Sequence, residues 1–433
     1  MNIIKNIFPG KNLVNKKLNI FLFFGIAFFI PLLKTFQIQL FDNTYIIRSM
    51  GFIIILFTIS GIIAGDYSPL KKKNVWIKLT TVLLWLIPFF HLLFLNSVET
   101  YWNELEVKLS LIFIPIIVLI AIELKREIFY TFLKVFIVGG IIAVTICLII
   151  SIYNFYFLDN LSAFTYQNLS YFHHPSYFAM YLNFIVGILY YHSINPIKSF
   201  NINRPLTYIL ILLLTFFIIL LSSKTGWISN VIITFLFMFF SFKNKSFNKI
   251  HFGFIFTIIL SFVIIFKTVP FVKYRSNELI NYLNRNIFET EKKSSYFSSS
   301  ATRFITWKCS LELISEKIIF GYGEGLSGLE LNKLYKNNDY KQLENKNLNS
   351  HNQFLQCFLD HGLIGGCVII FFTIIMLLKS LKTKDYLYSL FLILITINFL
   401  TESILETQSG VVFFAVFNTL FFFQWVDKNI SSK

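Results

Sequence analysis

Long apolar runs separated by short polar breaks make up most of this sequence. Twelve runs can be marked off, at residues 18–36, 44–64, 76–96, 109–123, 129–157, 175–194, 206–223, 225–242, 250–267, 362–378, 386–400 and 410–426. A helix needs about 20 largely apolar residues to cross about 30 Å of hydrocarbon. The pattern therefore predicts an all-α polytopic membrane protein with about 12 transmembrane helices. The composition excludes a soluble domain, since 56% of residues are hydrophobic and the mean hydropathy is +0.67.

The net charge of +16 follows the predicted topology. Lysine and arginine concentrate before the first run and in every second loop, for example at 71–73, 243–249 and 379–384, while the other short loops hold few cations and several acids. Cytoplasmic loops of membrane proteins collect cations. Both termini are therefore predicted to be cytoplasmic, the first residues form a lead-in that is not a cleaved signal peptide, and the charge does not indicate a nucleic-acid partner.

One connection is much longer than the others. From about residue 267 to 350 the chain is polar, with 13 Lys or Arg against 9 Asp or Glu, and the topology places it outside the cell membrane. A loop of this length in a compact protein is usually functional or disordered. The predicted organisation is thus helices 1–9 in residues 1–266, a large external loop with the functional motifs in 267–361, and helices 10–12 in 362–433.

The four cysteines show no spacing typical of a metal site. A structural zinc site is not expected on that ground, and no metal or cofactor is predicted. Cys309 and Cys357 both fall on the predicted external side, where a disulfide is allowed and nothing in the sequence requires one.

The stretch NSHNQFLQ at residues 349–356 precedes the tenth run. Ser350-x-x-Gln353 matches a capping box, which predicts a helix that begins at His351. The imidazole would lie in the first helical turn, where the helix dipole disfavours imidazolium and favours the neutral ring that can accept a proton. The alternative is a histidine that makes an ordinary surface hydrogen bond.

Two cations in polar segments are candidates for binding an anion. Arg303 and Trp307 are four apart in a predicted amphipathic helix, so the ring could hold the guanidinium, whose planar fork suits phosphate oxygens. Lys224 falls at the external mouth of the seventh and eighth runs, where a cation between membrane helices is a functional candidate. The alternatives are a surface arginine packed on tryptophan and a lysine that reaches external water.

Two further motifs carry small or titratable residues. The glycines Gly321, Gly323 and Gly325 of GYGEG predict a loop with unusual backbone angles, which either ends a helix or presents N–H groups to an anion. His173 and His174 are adjacent, so they point to different faces and cannot ligate one metal ion as a helical pair. We expect them to line the external cavity, with Pro175 as the first residue of the next helix.

The order of these motifs resembles the O-antigen ligase and polymerase superfamily. The resemblance is carried by Ser-Lys-Thr-Gly at 223–226, Arg303-x-x-x-Trp307, GYGEG at 321–325, His351-Asn352, and Asp360-His361-Gly362-Leu363-Ile364-Gly365. Members of that superfamily are membrane glycosyltransferases that take glycans from undecaprenyl diphosphate. The chain departs from the pattern in two ways: Lys224 stands where arginine is usual, and Asp360 stands where many members have glutamate.

The resemblance implies a site and its partners. It assigns catalysis to His351, Arg303 and Lys224, with Asn352, Trp307, Gly323, Gly325, His174 and Asp360 binding substrate. It implies an inverting, metal-independent transfer from an undecaprenyl-diphosphate-linked glycan to a lipid A-core or glycan acceptor. It also implies a multi-pass protein of the bacterial inner membrane whose large loop is periplasmic, in contact with membrane lipids and with no nucleic acid.

Three functions compete. An O-antigen ligase is favoured over a repeat-unit polymerase because many such polymerases carry arginine followed eleven residues later by glycine. Here Arg275, Arg285 and Arg303 are followed at that offset by other residues. A transporter or flippase is the third, and the lack of acids near the middle of the apolar runs argues against it.

Overall fold

The computed structural model describes most of the chain. The described residues are 12–33, 35–40, 43–71, 74–86, 105–243, 249–283, 299–344, 346 and 348–429. Within them the protein is helical apart from one hairpin, which confirms the helical fold class. Part of the third apolar run and most of the serine-rich stretch at 294–300 lie outside the described residues.

The helices follow one another with short connections. They are α1 (Asn12–Phe29), α2 (Ser49–Ala64), α3 (Val75–Leu84), α4 (Ser110–Ala121), α5 (Arg126–Phe157), α6 (Tyr166–Leu169), α7 (Pro175–Ile194), α8 (Arg204–Leu220), α9 (Lys224–Lys243), α10 (Lys249–Thr268), α11 (Pro270–Leu283), α12 (Ser299–Glu316), α13 (Leu326–Asn337), α14 (Gln353–Lys382), α15 (Tyr386–Phe399) and α16 (Gln408–Asn429). Short 3-10 turns cover Ser68–Lys71, Lys198–Phe200 and Ile404–Glu406.

A two-stranded hairpin interrupts the first two predicted membrane runs. Strands β1 (Thr35–Leu40) and β2 (Asn43–Arg48) pair antiparallel from Thr35 opposite Arg48 to Leu40 opposite Asn43. The predicted spans 18–36 and 44–64 are therefore too long where they meet. The reason is visible in TFQIQL, where polar and apolar residues alternate with the period of a strand.

Each predicted apolar run nevertheless overlaps a helix over at least part of its described length. Among the described residues, four helices are long and apolar enough to cross a membrane, namely those at Arg126–Phe157, Lys224–Phe242, Gln353–Lys382 and Gln408–Asn429. Shorter apolar helices include α2, α8 and α15. The length and apolar composition of these helices indicate a membrane protein.

Helices α7 and α16 form the centre of the bundle. Both are buried along almost their whole length, as expected of helices that are apolar on every side. Aromatic rings join them to their neighbours: Phe184 of α7 lies 4.8 Å from Phe417 of α16 and 5.5 Å from Phe391 of α15, measured between ring centroids. This aromatic core fixes the helices whose ends carry the polar residues.

The described part of the long polar connection has a small core of its own. Helices α12 and α13 pack through Ile305, Leu313, Leu331 and Tyr335, which are buried together with Leu359 of α14. The connection thus docks on the beginning of α14.

A backbone clasp joins the GYGEG loop to a kink in α14. Gly362 has φ +61 and ψ −153 within the helix, and the N–H of Leu363 donates to Ile318 O at 2.7 Å. On the other side of the kink, the N–H groups of Tyr322 and Gly323 donate to the carbonyls of Leu359 and Asp360, each at 2.8 Å. We call these paired segments, 318–323 and 359–363, the clasp.

Glycine is required where the clasp is tightest. A Cβ on Gly362 would lie 2.2 Å from the carbonyl oxygen of Ile319, and one on Gly321 would lie 2.7 Å from the backbone of Asp360. Both glycines also have positive φ, a region that other residues rarely adopt. The GYGEG and DHG motifs are therefore two halves of one backbone contact.

Candidate active site

Glu402 joins two of the predicted catalytic residues. Its Oε1 lies 2.5 Å from Nη2 of Arg303, and its Oε2 lies 3.3 Å from Nδ1 of His351. Arg303 also donates from Nε to the carbonyl oxygen of Thr401 at 3.0 Å. Arg303 comes from α12, His351 from the segment that precedes the N-cap of α14, and Glu402 from the turn between α15 and α16. We call Arg303, His351 and Glu402 the His351 site.

The first turn of α14 differs from the predicted capping box. Asn352 is the N-cap, and its Oδ1 accepts from the N–H groups of Phe354 and Leu355 at 3.0 and 3.2 Å. The prediction that the helix begins at His351 was wrong, because asparagine in the right place is at least as good an N-cap as serine. Gln353 does not reach back to Ser350; its side chain instead bonds Leu405 N and Glu406.

His351 therefore lies just outside the helix, in a left-handed conformation. Its φ is +49, and its N–H donates to Oδ1 of Asn349 at 3.0 Å. Non-glycine residues with positive φ are uncommon and are concentrated at functional sites. This backbone conformation directs the imidazole to Glu402, with 26% of the side chain still exposed.

Helix α12 supplies Arg303 and Trp307 to the same place. The indole Nε1 donates to the carbonyl oxygen of His351 at 3.4 Å, and the Trp307 ring packs on Phe304. The contact that fixes Arg303 is the one to Glu402, which sequence reasoning did not consider. Trp307 thus supports the backbone of His351.

Lys224 is buried at the start of α9. Its Nζ donates to Oγ of Ser300 at 2.7 Å, so α9 is tied to the first turn of α12. The lysine is 7% exposed, which excludes the alternative that it reaches external water. The next residue, Thr225, shares a 2.8 Å hydrogen bond with the hydroxyl of Thr401, beside the His351 site.

His174 faces the same charges from α7. It is the N-cap residue of that helix, with Pro175 as the first helical residue, as predicted. Burial lowers the pKa of His174, the carboxylate of Glu402 opposes this, and the charge of Arg303 adds to it. His173 points elsewhere, with its Nδ1 3.2 Å from the Ser409 hydroxyl, so the two histidines separate as expected.

Glu402 stays ionised despite its burial. Burial alone would raise the pKa of its carboxyl, but the hydrogen bond from His351 and the charge of Arg303 outweigh that effect and lower the pKa to about 2. A carboxylate that accepts from Nδ1–H holds an imidazole in one tautomer, with Nε2 left to accept a proton. The pair can therefore act as an oriented general base.

Arg275 is a further cation near this site that was not singled out. Its guanidinium lies over the ring of Tyr166 at 4.8 Å, and Nη1 donates to the hydroxyl of Ser299 at 3.1 Å. Ser299 and Ser300, whose hydroxyls accept hydrogen bonds from Arg275 and Lys224, are the first two residues of α12. Two cations thus converge on the helix that carries Arg303.

Asp360, Gly323 and Gly325, which were also predicted to bind substrate, lie at a second group of charged residues, which is buried. Lys108 contacts Glu324 directly, and its Nζ lies 2.9 Å from Oε2 of Glu406. Nε2 of His361 lies 2.8 Å from Glu324, and Asp360 is next to it in α14. We call Lys108, Glu324, Asp360, His361 and Glu406 the Lys108 cluster. Burial would raise the pKa of Glu324, but Lys108 and His361 lower it to about 2.

The clasp explains why the predicted glycines lie at this cluster. The N–H of Gly323 donates to the carbonyl oxygen of Asp360 in α14, so it is not available to bind an anion. Gly325 is the N-cap of α13 and has a left-handed backbone conformation. These residues hold Glu324 in position and lie at the Lys108 cluster, apart from the His351 site. A pocket reaches the cluster at Lys108 and His361 and is otherwise lined largely by apolar side chains such as Trp85 and Phe372.

The sequence analysis did not predict a role for Glu402, Glu406 and Lys108 because they fall in short connections. Charged residues in such connections were used only to predict the membrane topology. The available signal was their position at the ends of apolar runs, where ionisable groups are costly unless they are paired. The cysteines add nothing to either group: Cys309 and Cys357 are both free, so no disulfide joins them.

Comparison with known proteins relates part of the chain to a family. Residues 209–372 match the family model described as O-antigen ligase. No match was found among the curated proteins. The matched segment runs from α8 into α14 and contains Lys224, Arg303 and His351, whereas Glu402 lies beyond it. The match supports the O-antigen ligase superfamily for this segment, and with it a ligase- or polymerase-type membrane glycosyltransferase.

Proposed function

We propose that this protein transfers a glycan from undecaprenyl diphosphate to an acceptor hydroxyl, as an O-antigen ligase with a lipid A-core acceptor. The observation that carries the proposal is the contact of Glu402 with both Arg303 and His351. It puts a base next to a fixed cation, and the transfer reaction needs both. The protein would be a multi-pass protein of the bacterial inner membrane, with both termini in the cytoplasm and residues 267–361 in the periplasm.

His351 is the proposed base. The carboxylate of Glu402 receives Nδ1–H, and Nε2 accepts the proton of the acceptor hydroxyl. The hydroxyl oxygen then forms a bond to the anomeric carbon, and the bond from that carbon to the diphosphate oxygen breaks. Undecaprenyl diphosphate leaves with the electron pair, and a single displacement inverts the anomeric configuration.

Arg303 is the proposed anchor for the diphosphate. A guanidinium has five N–H donors, and the contacts to Thr401 and Glu402 use only part of them. Glu402 holds the fork in place, so little freedom is lost when phosphate oxygens bind. Lys224 and Arg275, both held by serines at the start of α12, add positive charge for a leaving group that already carries negative charge.

Transfer by purified protein tests this proposal. Full-length protein in proteoliposomes is supplied with an undecaprenyl-diphosphate-linked glycan and a lipid A-core acceptor, and products are separated by size. We expect His351→Ala and Arg303→Ala to give no product while Arg126→Ala, which removes an exposed arginine packed on Tyr130, behaves as wild type. Unchanged product from both site variants would refute the catalytic assignment.

The same assay separates ligase from polymerase. A ligase gives one product per donor, and only when the acceptor is present. A ladder of longer glycans in the absence of acceptor would show the repeat-unit polymerase instead.

A further inference from the structure

The Lys108 cluster has more negative than positive charge. Among the described residues it contains three carboxylates, Glu324, Asp360 and Glu406, against the one ammonium of Lys108 and the imidazole of His361. Side-chain exposure is 6% for Lys108, 1% for Glu324, 7% for Glu406 and 5% for His361, and Asp360 is 1% exposed. With all three carboxyls ionised and the imidazole neutral, this buried cluster would carry two negative charges beyond the one that Lys108 compensates. Buried charges of this kind are costly unless they are paired or coordinate a metal ion.

Lys108 contacts two of the three carboxyl groups, those of Glu324 and Glu406. Its ammonium lies between Glu324 and Glu406, where it contacts one oxygen of each. The carboxylate of Asp360 instead accepts from the amide of Gln356, at 3.1 and 3.0 Å to its two oxygens. A neutral amide orients a carboxylate but does not neutralise it.

One oxygen of Glu324 is left without a partner. Oε1 receives Lys108 and His361, whereas Oε2 is buried and has no hydrogen-bond partner among the described residues. An orphaned buried carboxylate oxygen is rare and needs an explanation. Ligand atoms of Glu324, Asp360 and His361 all lie within 4.8 Å of one another, so a single ion between them could take one atom from each.

We propose that Glu324, Asp360 and His361 bind a divalent transition-metal ion. Two carboxylate oxygens and one imidazole nitrogen are a donor set that suits Zn²⁺ and Mn²⁺. The double positive charge of such an ion would equal the two negative charges that Lys108 leaves uncompensated when all three carboxyls are ionised. Gln356 is already in place to orient Asp360, as outer hydrogen bonds do at metal sites. This site is independent of the proposed transfer reaction, which runs at the His351 site.

The ion would fasten the clasp. Glu324 lies in the GYGEG loop, directly after the clasp segment 318–323, and Asp360 and His361 lie in the clasp segment at the kink of α14. The ligands are therefore supplied from both sides of the clasp. Backbone hydrogen bonds and the contact between His361 and Glu324 already join these segments, and a shared ion would add bonds that include Asp360. Metal binding at such a site is coupled to folding of the segments that supply the ligands.

Metal analysis of the full-length protein tests the site. Protein purified without chelator is assayed for bound metal, then stripped with chelator and titrated with Mn²⁺ while electron paramagnetic resonance measures free ion. We expect saturable binding of one ion per chain in the wild type. Asp360→Asn and Glu324→Gln should weaken Mn²⁺ binding at least about tenfold.

Two variants separate a metal site from a plain ion-pair network. Lys108→Met removes the competing ammonium, so we expect it to bind Mn²⁺ more tightly than wild type. Glu330→Gln removes a carboxylate that pairs with Lys333 on the surface of α13, and it should bind as wild type does. Both are measured in the same titration.

The wild-type titration decides the question even if a ligand variant fails to fold. The absence of saturable Mn²⁺ and Zn²⁺ binding to stripped wild-type protein would overturn the proposal, and so would weaker binding by Lys108→Met than by wild type. Equal losses in Glu330→Gln and Glu324→Gln would also overturn it.

Discussion

The His351 site and the Lys108 cluster use the same kinds of residues in different surroundings. Each contains a histidine against a glutamate that also meets a cation. In the His351 site the histidine is 26% exposed and the arginine 19%, whereas in the Lys108 cluster no side chain in these contacts exceeds 7%. Exposure leaves hydrogen-bond donors available to a substrate. Enclosure leaves the charges available only to one another or to an ion.

The two histidines allow the largest test of this difference. His351→Gln removes the proposed base, so we expect the transfer rate to fall by about 10²–10⁴ with little change in thermal stability. His361→Gln should do the reverse, lowering the unfolding temperature more than the rate per folded molecule. Initial rates and detergent thermal-shift measurements on the same preparations check both. A similar rate loss in the two variants would remove the distinction.

Replacing Lys108 and Arg303 tests the difference between the two groups by its effect on the free energy of unfolding. Lys108→Met leaves buried carboxylates unpaired and should cost about 3–5 kcal/mol of unfolding free energy when chelator is present. Arg303→Met removes a partly exposed partner, and the cost should be about 1 kcal/mol because solvent screens the pair. Denaturant titration in detergent measures both values. Equal costs would show that exposure does not separate the two groups.

Acid should weaken the His351 site in a defined range. The pKa of Glu402 is lowered in the folded protein from 4.5 to about 2. Its ionised form therefore stabilises the fold above about pH 4.5, by on the order of 3 kcal/mol, and this contribution is lost as the pH falls toward 2. Glu402→Gln lacks the titrating group, so its unfolding temperature should change less over this range than that of wild type. Glu330→Gln is the control and should follow wild type.

The smallest predicted effect concerns the helix cap. Asn352→Ala removes the acceptor of two N–H groups at the start of α14 and should cost about 1 kcal/mol. Asn352→Asp keeps the acceptor and should cost less. The unfolding temperatures of the two variants test the order. A reversed order would restore Ser350 as the capping residue.

Local patterns in the sequence predicted the helices well. An apolar run such as 175–194 matches α7 at both ends because Pro175 can only begin that helix and the apolar residues end with it. The N-cap of α14 was missed because Ser350 and Asn352 are both good caps, and tertiary contacts decide between them. Here Ser350 contacts Asn352 and Ser403 instead.

The sites were harder to predict than the helices because their partners are distant in sequence. The sequence predicted a role for His351 and Arg303, but Glu402, which contacts both, comes from a short turn about 50 residues beyond His351. Lys108 and Glu324 are even farther apart. No local pattern encodes such a pairing, since it depends on how the helices pack.

The clasp also restricts how the length of the chain can vary. Between Glu316 and Gly325 the backbone is bonded to α14 on both sides of Gly362, and one added residue would shift Glu324 away from Lys108 and His361. Length is therefore as strictly constrained as residue identity in the GYGEG loop.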